Sequence, residues 1–179
     1  MRIFFALEFD KGIKNKIKNQ QQIIINNSLK GNFTLEDNFH LTLKYIGEVK
    51  ETEIGLLKEA LVMAASNRNS FNLSIKDLSY FPRGNKKILW LGVTKNEELD
   101  SLFKTLDSQL SLIGYEEEER PYTPHITIGR EVVLNEDIAR LQEQVKICEN
   151  VTVNKISLME STRIEGKLAY IPIFTVNLI

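Results

Sequence analysis

Apolar and polar positions along this chain switch repeatedly between a period of two and a period near 3.6, and the switches mark out its elements. Arg2 to Phe9 is apolar on both faces and reads as a central strand. Asp10 can cap a following helix, in which Ile13, Ile17, Ile24 and Ile25 fall near one face. Gly31 starts a turn into Phe33-Thr34-Leu35, and Glu36-Asp37-Asn38 leads to an alternating stretch, Phe39 to Ile46, that Gly47 ends. Glu51 to Asn67 returns to helical spacing through Ile54, Leu57 and Leu61. Phe71, Leu73 and Ile75 alternate, the phase slips at Lys76-Asp77, and Leu78 and Tyr80 resume it, as a bulged strand would. Pro82-Arg83-Gly84-Asn85 is turn chemistry, so Ile88 to Thr94 forms the second arm of an antiparallel hairpin. Leu99, Leu102, Phe103, Leu106, Leu110 and Ile113 draw the clearest helical stripe, stopped by Gly114. An acidic loop, Glu116 to Glu119, precedes a strand at His125. A helix capped by Asn135 follows, with Ile138, Leu141 and Val145 inward. Val151 to Met159 and Leu168 to Leu178 are the last strands, with Pro172 marking an edge or a bulge.

The resulting order, β-α-β-α-β-β-α-β-α-β-β, predicts an α+β fold with mostly antiparallel strands. Each half carries an alternating strand with a histidine, then a helix, then a pair of strands. The pattern predicts a bilobal, pseudo-symmetric duplication: two sheets flanking a central cleft, with helices on the outside. No Pro-, Gly- or Ser-rich linker separates the halves, so residues 1–179 are expected to form one bilobal domain.

Composition narrows the function. An apolar fraction of 42% and a charged fraction of 26% are ordinary for a globular chain. A net charge of −1 argues against a non-specific coat of nucleic acid, but not against recognition of one phosphate or one RNA end. The single cysteine, Cys148, excludes an intrachain disulfide framework and fits a reducing compartment; an inert packing role is expected for it. The N-terminus turns acidic too early for a signal peptide, and no apolar run reaches the roughly 20 residues of a membrane span. A cytoplasmic monomer with no membrane partner is the expectation.

The candidate chemistry lies in two matched stretches. In Phe39-His40-Leu41-Thr42-Leu43-Lys44-Tyr45-Ile46, alternation puts His40, Thr42 and Lys44 on one face. In Pro124-His125-Ile126-Thr127-Ile128-Gly129, His125 and Thr127 share a face in the same way. The chain has two histidines, and both stand in this His-x-Thr setting with x apolar. A lone strand histidine is more often structural, but this repetition favours function. Two imidazoles facing one substrate divide acid and base work near neutral pH, each transfer worth about 10²–10⁴ in rate. Two threonine hydroxyls, with a lysine or arginine, would stabilise charge building on phosphorus. The arrangement suits in-line displacement at a phosphodiester. No acidic ligand stands at an obvious spacing from either histidine, so neither a metal nor another cofactor is expected.

The two motifs resemble the paired His-x-Thr-x signatures of the two-histidine phosphoesterase superfamily, in particular the LigT/ThpR-type RNA 2′,3′-cyclic phosphodiesterases, also called 2′-5′ RNA ligases. The likeness runs from Arg2-Ile3-Phe4-Phe5-Ala6-Leu7 through both motifs and Ile88-Leu89-Trp90-Leu91-Gly92-Val93 to Met159-Glu160-Ser161 and Tyr170-Ile171-Pro172-Ile173. It implies a central cleft with both histidines on its floor. It also implies metal-free opening of an RNA 2′,3′-cyclic phosphate to a 2′-phosphomonoester, with weak reverse 2′-5′ ligation. By the resemblance His125 is the base for water, His40 the acid for the departing 3′-oxygen, and Thr42 and Thr127 hold phosphate oxygens. The residues themselves leave acid and base interchangeable. Arg130 matches the family's arginine after the second motif; strict alternation puts it opposite His125, so a bulge or strand end is required. Lys44 is a further phosphate candidate. Tyr122, Phe5 and Phe39 could stack on a base, with core packing the plainer expectation. Arg83, Lys86 and Lys87 form a basic turn expected to be a solubilising hairpin tip. Other readings are a nucleotide or RNA-end binding module without turnover, or a phosphodiesterase acting on ADP-ribose cyclic phosphate or 2′-5′ oligonucleotides.

Overall fold

The computed structural model describes residues 1–179. It contains β1 (Arg2–Glu8), α1 (Lys11–Asn26), β2 (Ser28–Phe33), β3 (His40–Glu48), α2 (Ile54–Ala65), β4 (Phe71–Arg83), β5 (Lys86–Val93), α3 (Glu97–Leu112), β6 (His125–Leu134), α4 (Ile138–Gln144), β7 (Glu149–Val153), β8 (Lys155–Ile164) and β9 (Lys167–Asn177). Two sheets result, ordered β3-β1-β8-β9 and β2-β6-β5-β4-β7, and every strand pair is antiparallel. This is the mixed α+β architecture that the periodicities predict. No helix is long and apolar enough to cross a membrane.

The connectivity crosses between the sheets. β3 lies in the first sheet, yet the hairpin β4–β5 that follows α2 joins β6 in the second. β6 lies in the second, yet the hairpin β8–β9 joins β3's sheet. The stretch from Val151 to Met159, expected as one strand, is therefore two. β7 pairs with β4, the chain switches sheets at Asn154, and β8 pairs with β1. β2 is a strand that the periodicity does not reveal. Gly31, expected to start a turn, lies within it. Its sequence, Ser-Leu-Lys-Gly-Asn-Phe, does not alternate because β2 is an edge strand, held by backbone pairing with β6 and burying little of its own.

Capping and packing fix the helices. Asp10 accepts a hydrogen bond from the Ile13 amide at 2.9 Å, as expected of an N-cap. The cap of α4 is Asp137, which accepts from the Ala139 amide, and not Asn135. Leu99, Leu102, Leu106 and Leu110 of α3 are fully buried, and Gly114 takes a φ of +96° just past the helix end. One apolar core joins Ile3, Phe5 and Leu7 of β1 to Leu57 and Leu61 of α2, Leu89 and Leu91 of β5, and Ile126 and Ile128 of β6. Pro172 sits on edge strand β9, where a register shift occurs beside it, so the missing amide breaks no ladder bond. Cys148 lies exposed between α4 and β7, outside any helix, contrary to the packing role expected of it.

Candidate active site

β1 holds β3 in a register where Glu8 faces His40 and Ala6 faces Thr42. β5 holds β6 so that Gly92 faces His125 and Trp90 faces Thr127. The faces opposite are apolar and buried: Leu41 and Leu43 in β3, Ile126 and Ile128 in β6. That burial orients the two strands, and β3 and β6 lie against each other. His40, Thr42, His125 and Thr127 consequently line one cleft of about 500 Å³.

Both imidazoles are held alike. His40 Nδ1 lies 2.7 Å from the Asn38 carbonyl, and His125 Nδ1 lies 2.7 Å from the Thr123 carbonyl. A carbonyl only accepts, so each ring carries a proton on Nδ1, and in the neutral ring Nε2 is the acceptor. His40 Nε2 stands 2.9 Å from the Thr42 hydroxyl, which donates to it in that tautomer. Asn38, itself buried, fixes His40 further: its amide donates to the Leu168 carbonyl and its side-chain oxygen accepts from the Tyr170 amide. Each imidazole also has two aromatic neighbours. Phe4 and Tyr170 each lie with ring centroids 5.0 Å from His40. Phe81 lies 5.3 Å and Trp90 5.6 Å from His125.

Burial among these rings disfavours the charged imidazoles. His40 is lowered to about 4 by desolvation, against the pull of the Asn38 carbonyl, with electrostatic repulsion from Lys14, His125 and Arg130 adding to the fall. His125 is lowered for the same reason, desolvation first, with Arg130 adding to it. Both rings are therefore neutral at pH 7.

Arg130 lines the cleft because β6 is bulged. Leu89 pairs with Gly129 and Trp90 with Thr127, so one residue of β5 spans two of β6. Ile128 and Gly129 both turn to the core, and Arg130 returns to the face of His125. Gly129 is required there, since a Cβ would come within 2.9 Å of the Phe33 ring. Lys44 is not in the cleft, and the reason is the matching bulge in β3. Ala6 pairs with Thr42 and Phe5 with Lys44, which puts Lys44 behind the sheet with Phe5. There its ammonium pairs with Asp107 of α3 and donates to the Glu116 carbonyl at 2.7 Å. The expectation from strict alternation is thus corrected by one inserted residue.

Phe5 and Phe39 are buried in the core. Tyr122 stacks on Phe103 at 4.2 Å and donates to the Thr42 carbonyl at 2.8 Å, bracing β3 from the segment that precedes β6. Arg83 and Lys86 flank the β4–β5 turn, and Lys86 is paired with Glu131. The cleft lining also includes Arg2, Phe4, Thr34, Tyr45, Ser161 and Tyr170, of which periodicity marks none. No carboxylate or thiol lines it, and no group of three or more His, Cys, Asp or Glu side chains in the chain is placed to hold a metal ion. The side chains that line the cleft suit an anion: the two imidazoles, the guanidinium groups of Arg2 and Arg130, and hydroxyls that include those of Thr42 and Thr127.

Residues 30–165 match the family model of the 2′-5′ RNA ligase superfamily. The chain belongs to that superfamily. Within the 2′-5′ RNA ligase superfamily, it is 30% identical over 164 residues to an RNA 2′,3′-cyclic phosphodiesterase of Thermotoga maritima, covering 90% of this chain and 87% of that one. It is 37% identical over 133 residues to an RNA 2′,3′-cyclic phosphodiesterase of Methanocaldococcus jannaschii, covering 73% and 71%. The fold is shared with Escherichia coli LigT complexed with 3′-AMP, at a TM-score of 0.81, 24% identity and coverage of 99% and 97%. It is likewise shared with TT0787 of Thermus thermophilus, at a TM-score of 0.84 and 19% identity, with 99% and 98% covered.

Proposed function

We propose that this superfamily member hydrolyses RNA 2′,3′-cyclic phosphate ends to 2′-phosphomonoesters, using His40 and His125 as an acid–base pair without a metal. The observation that carries the reading is the paired placement of the imidazoles: each Nδ1 is held by the carbonyl two residues before it, and both rings line one shared cleft. Relatives named RNA 2′,3′-cyclic phosphodiesterase, similar over most of the chain, support the substrate class.

In the proposed reaction the cyclic phosphate lies between the two Nε2 atoms. Its free oxygens meet the Thr42 and Thr127 hydroxyls and the Arg130 guanidinium. His125 takes a proton from water as the water oxygen bonds to phosphorus. The bond from phosphorus to the 3′-oxygen breaks, and protonated His40 gives its proton to that oxygen. The acid must be charged, whereas burial alone holds His40 neutral. The phosphate anion supplies the compensation: an opposite charge in contact raises an imidazole's affinity for a proton. Phe4 and Tyr170 then flank an imidazolium, which aromatic rings favour. Residues 1–179 act in this reading as one catalytic unit, supported by the crossed connectivity of the sheets. A reducing, cytoplasmic setting is supported by the single cysteine.

The test is a short RNA ending in a 2′,3′-cyclic phosphate, incubated with the protein in EDTA, with the position of the product phosphate identified. A 2′-phosphate is expected. A 3′-phosphate would reverse the roles of the two histidines, and an intact cyclic end would remove the hydrolase reading.

A further inference from the structure

The cleft extends well past the histidines. On β1, Phe4 lies against the His40 ring, and Arg2 shares its face two residues farther out, a strand step of about 7 Å. Arg2 stands directly opposite Ser161 of β8, and Ser161 opposite Tyr170 of β9. All three side chains line the cleft together with His40, His125 and Arg130. The floor thus continues from the histidine pair, over Phe4, to a guanidinium and a hydroxyl.

The groups at this outer position are oriented but not satisfied. Arg2 Nε donates to the Glu48 carboxylate at 3.2 Å, which fixes the plane of the guanidinium. Neither terminal nitrogen of Arg2 has a protein partner, and the Ser161 hydroxyl has none either. Arg68 differs: its Nε and both terminal nitrogens are taken by groups of α2 and α3. The Arg2 and Glu48 side chains are 54% and 68% exposed, so their pairing contributes little and leaves the fork of Arg2 open to a planar or tetrahedral anion.

Charge distinguishes the two ways out of the cleft. On the Tyr45 side, the groove beyond is walled by Glu116 to Glu119. On the Phe4 side stand Arg2 and then Arg163, which shares the face of Ser161 two residues farther along β8. A phosphodiester chain is repelled on the first side and attracted on the second.

We propose that Arg2, with Ser161, binds the 5′-phosphoryl group of the nucleotide whose 2′,3′-cyclic phosphate lies between the histidines; this rests on the phosphodiesterase reading above. In an RNA that group is the last phosphodiester of the strand, and the strand leaves the cleft over Phe4. The reacting phosphate and a spectator phosphate are then held at the two ends of one ribose. The contact selects the end of a strand over a nucleoside cyclic phosphate and carries no sequence information.

The test is equilibrium binding by isothermal titration at low salt, which needs no turnover, on the wild type, Arg2→Gln and Arg2→Lys. The ligands are adenosine 2′-phosphate, adenosine 2′,5′-bisphosphate, and the diadenosine dinucleotide with a 2′-phosphate end, in which a phosphodiester replaces the free 5′-phosphate. The wild type is expected to bind the second and third about tenfold more tightly than the first, the worth of one charge-assisted contact. Arg2→Gln is expected to lose that advantage and Arg2→Lys to keep part of it, and the advantage should shrink as salt rises. An Arg2-dependent advantage for the bisphosphate alone would keep the site and assign it to the free 5′-phosphate of a mononucleotide. No advantage in the wild type, a bisphosphate advantage that survives in Arg2→Gln, or equal losses for all three ligands in that variant would overturn the assignment. A protein that hydrolyses RNA cyclic ends but gives the 5′-phosphoryl group no advantage lacks this subsite alone. An Arg2-dependent advantage in a protein that leaves cyclic ends intact would keep the subsite and remove the phosphodiesterase reading.

Discussion

Replacing Lys44 separates two accounts of it, because a phosphate ligand and a buried structural cation respond differently. The Lys44 and Asp107 side chains are only 12% and 11% exposed. Asp107 also accepts from the Glu118 amide at 3.0 Å, and Lys44 also donates to the Glu116 carbonyl, so the pair anchors the acidic loop to α3. Lys44→Met leaves a carboxylate with a single remaining donor in a largely dry site. Removing one partner of a buried pair costs about 3–5 kcal/mol. With a urea m-value of about 2 kcal/mol/M, the unfolding midpoint should fall by roughly 1.5–2.5 M. Asp107→Leu alone should fall similarly, whereas Lys44→Met with Asp107→Leu should recover most of the loss, because an apolar pair of similar volume is close to neutral. The assay is urea unfolding of the four proteins, followed by kcat/KM on a cyclic-phosphate RNA under native conditions. Activity of Lys44→Met should stay within about threefold of wild type, as for a side chain outside the region of developing charge. A Lys44→Met protein of unchanged stability and at least about 100-fold lower activity would refute the reasoning, placing the ammonium on the phosphate and denying the β3 bulge.

Further outcomes are expected from the cleft. His40→Ala and His125→Ala should each lower kcat by about 10²–10⁴ with the circular dichroism spectrum unchanged; near-wild-type turnover in either would remove the acid–base pair. Arg130→Gln should lower kcat/KM by about 10²-fold or more, read by steady-state kinetics, if its charge meets the phosphate in the transition state. The lowered His40 value makes stability depend on pH in a fixed direction. The unfolded chain takes up a proton near 6.5 and the folded one only near 4, so stability is intact above pH 6.5 and falls between 6.5 and about 4. The loss is at most about 3 kcal/mol, since the ring is partly open to the cleft; unfolding midpoints at pH 7 and 4.5, compared with those of His40→Gln, measure it. Product phosphate should bind more tightly as pH falls toward 6, because binding raises the affinity of the imidazoles for protons; an isothermal titration in two buffers of different ionisation heat should show proton uptake.

The features legible in the sequence are those that burial writes into period. The α3 stripe, the bulge at Asp77 (φ +49°), the hairpin turn with Gly84 at φ +61° and the paired histidine strands all follow from which positions must avoid water. β2 left no such mark because it is held mainly by backbone pairing, with Phe33 its one side chain packed on the core. The switch between sheets at Asn154 left none either, since both strands it joins are apolar and the run reads as continuous. At the site, His40, Thr42, His125 and Thr127 were readable because they share the simple alternation. Lys44 and Tyr45 exchanged faces through one inserted residue, which no period records. The need for a bulge at Arg130 was readable only because its resemblance-based role conflicted with its phase. The aromatic neighbours of the histidines come from other strands, as do the Leu168 and Tyr170 backbone groups that hold Asn38, and these needed the tertiary fold.

The crossing of the chain between the sheets sets an order of assembly during synthesis. β1 and β3 emerge early and pair locally, but the other edge of β1 has no partner until Ser157 to Ser161 are made. Until then one edge of a strand containing Ile3, Phe4, Phe5, Ala6 and Leu7 is open, a template for mispairing with other nascent chains. The second sheet has the same dependence on a late segment, since β2 waits for β6. The His40 side of the cleft is thus completed by nearly the last residues translated, when β8 docks on β1 and β9 brings Tyr170 against the imidazole. A chain interrupted before Lys155 would carry both histidines and still be a substrate for proteases and chaperones, not an enzyme.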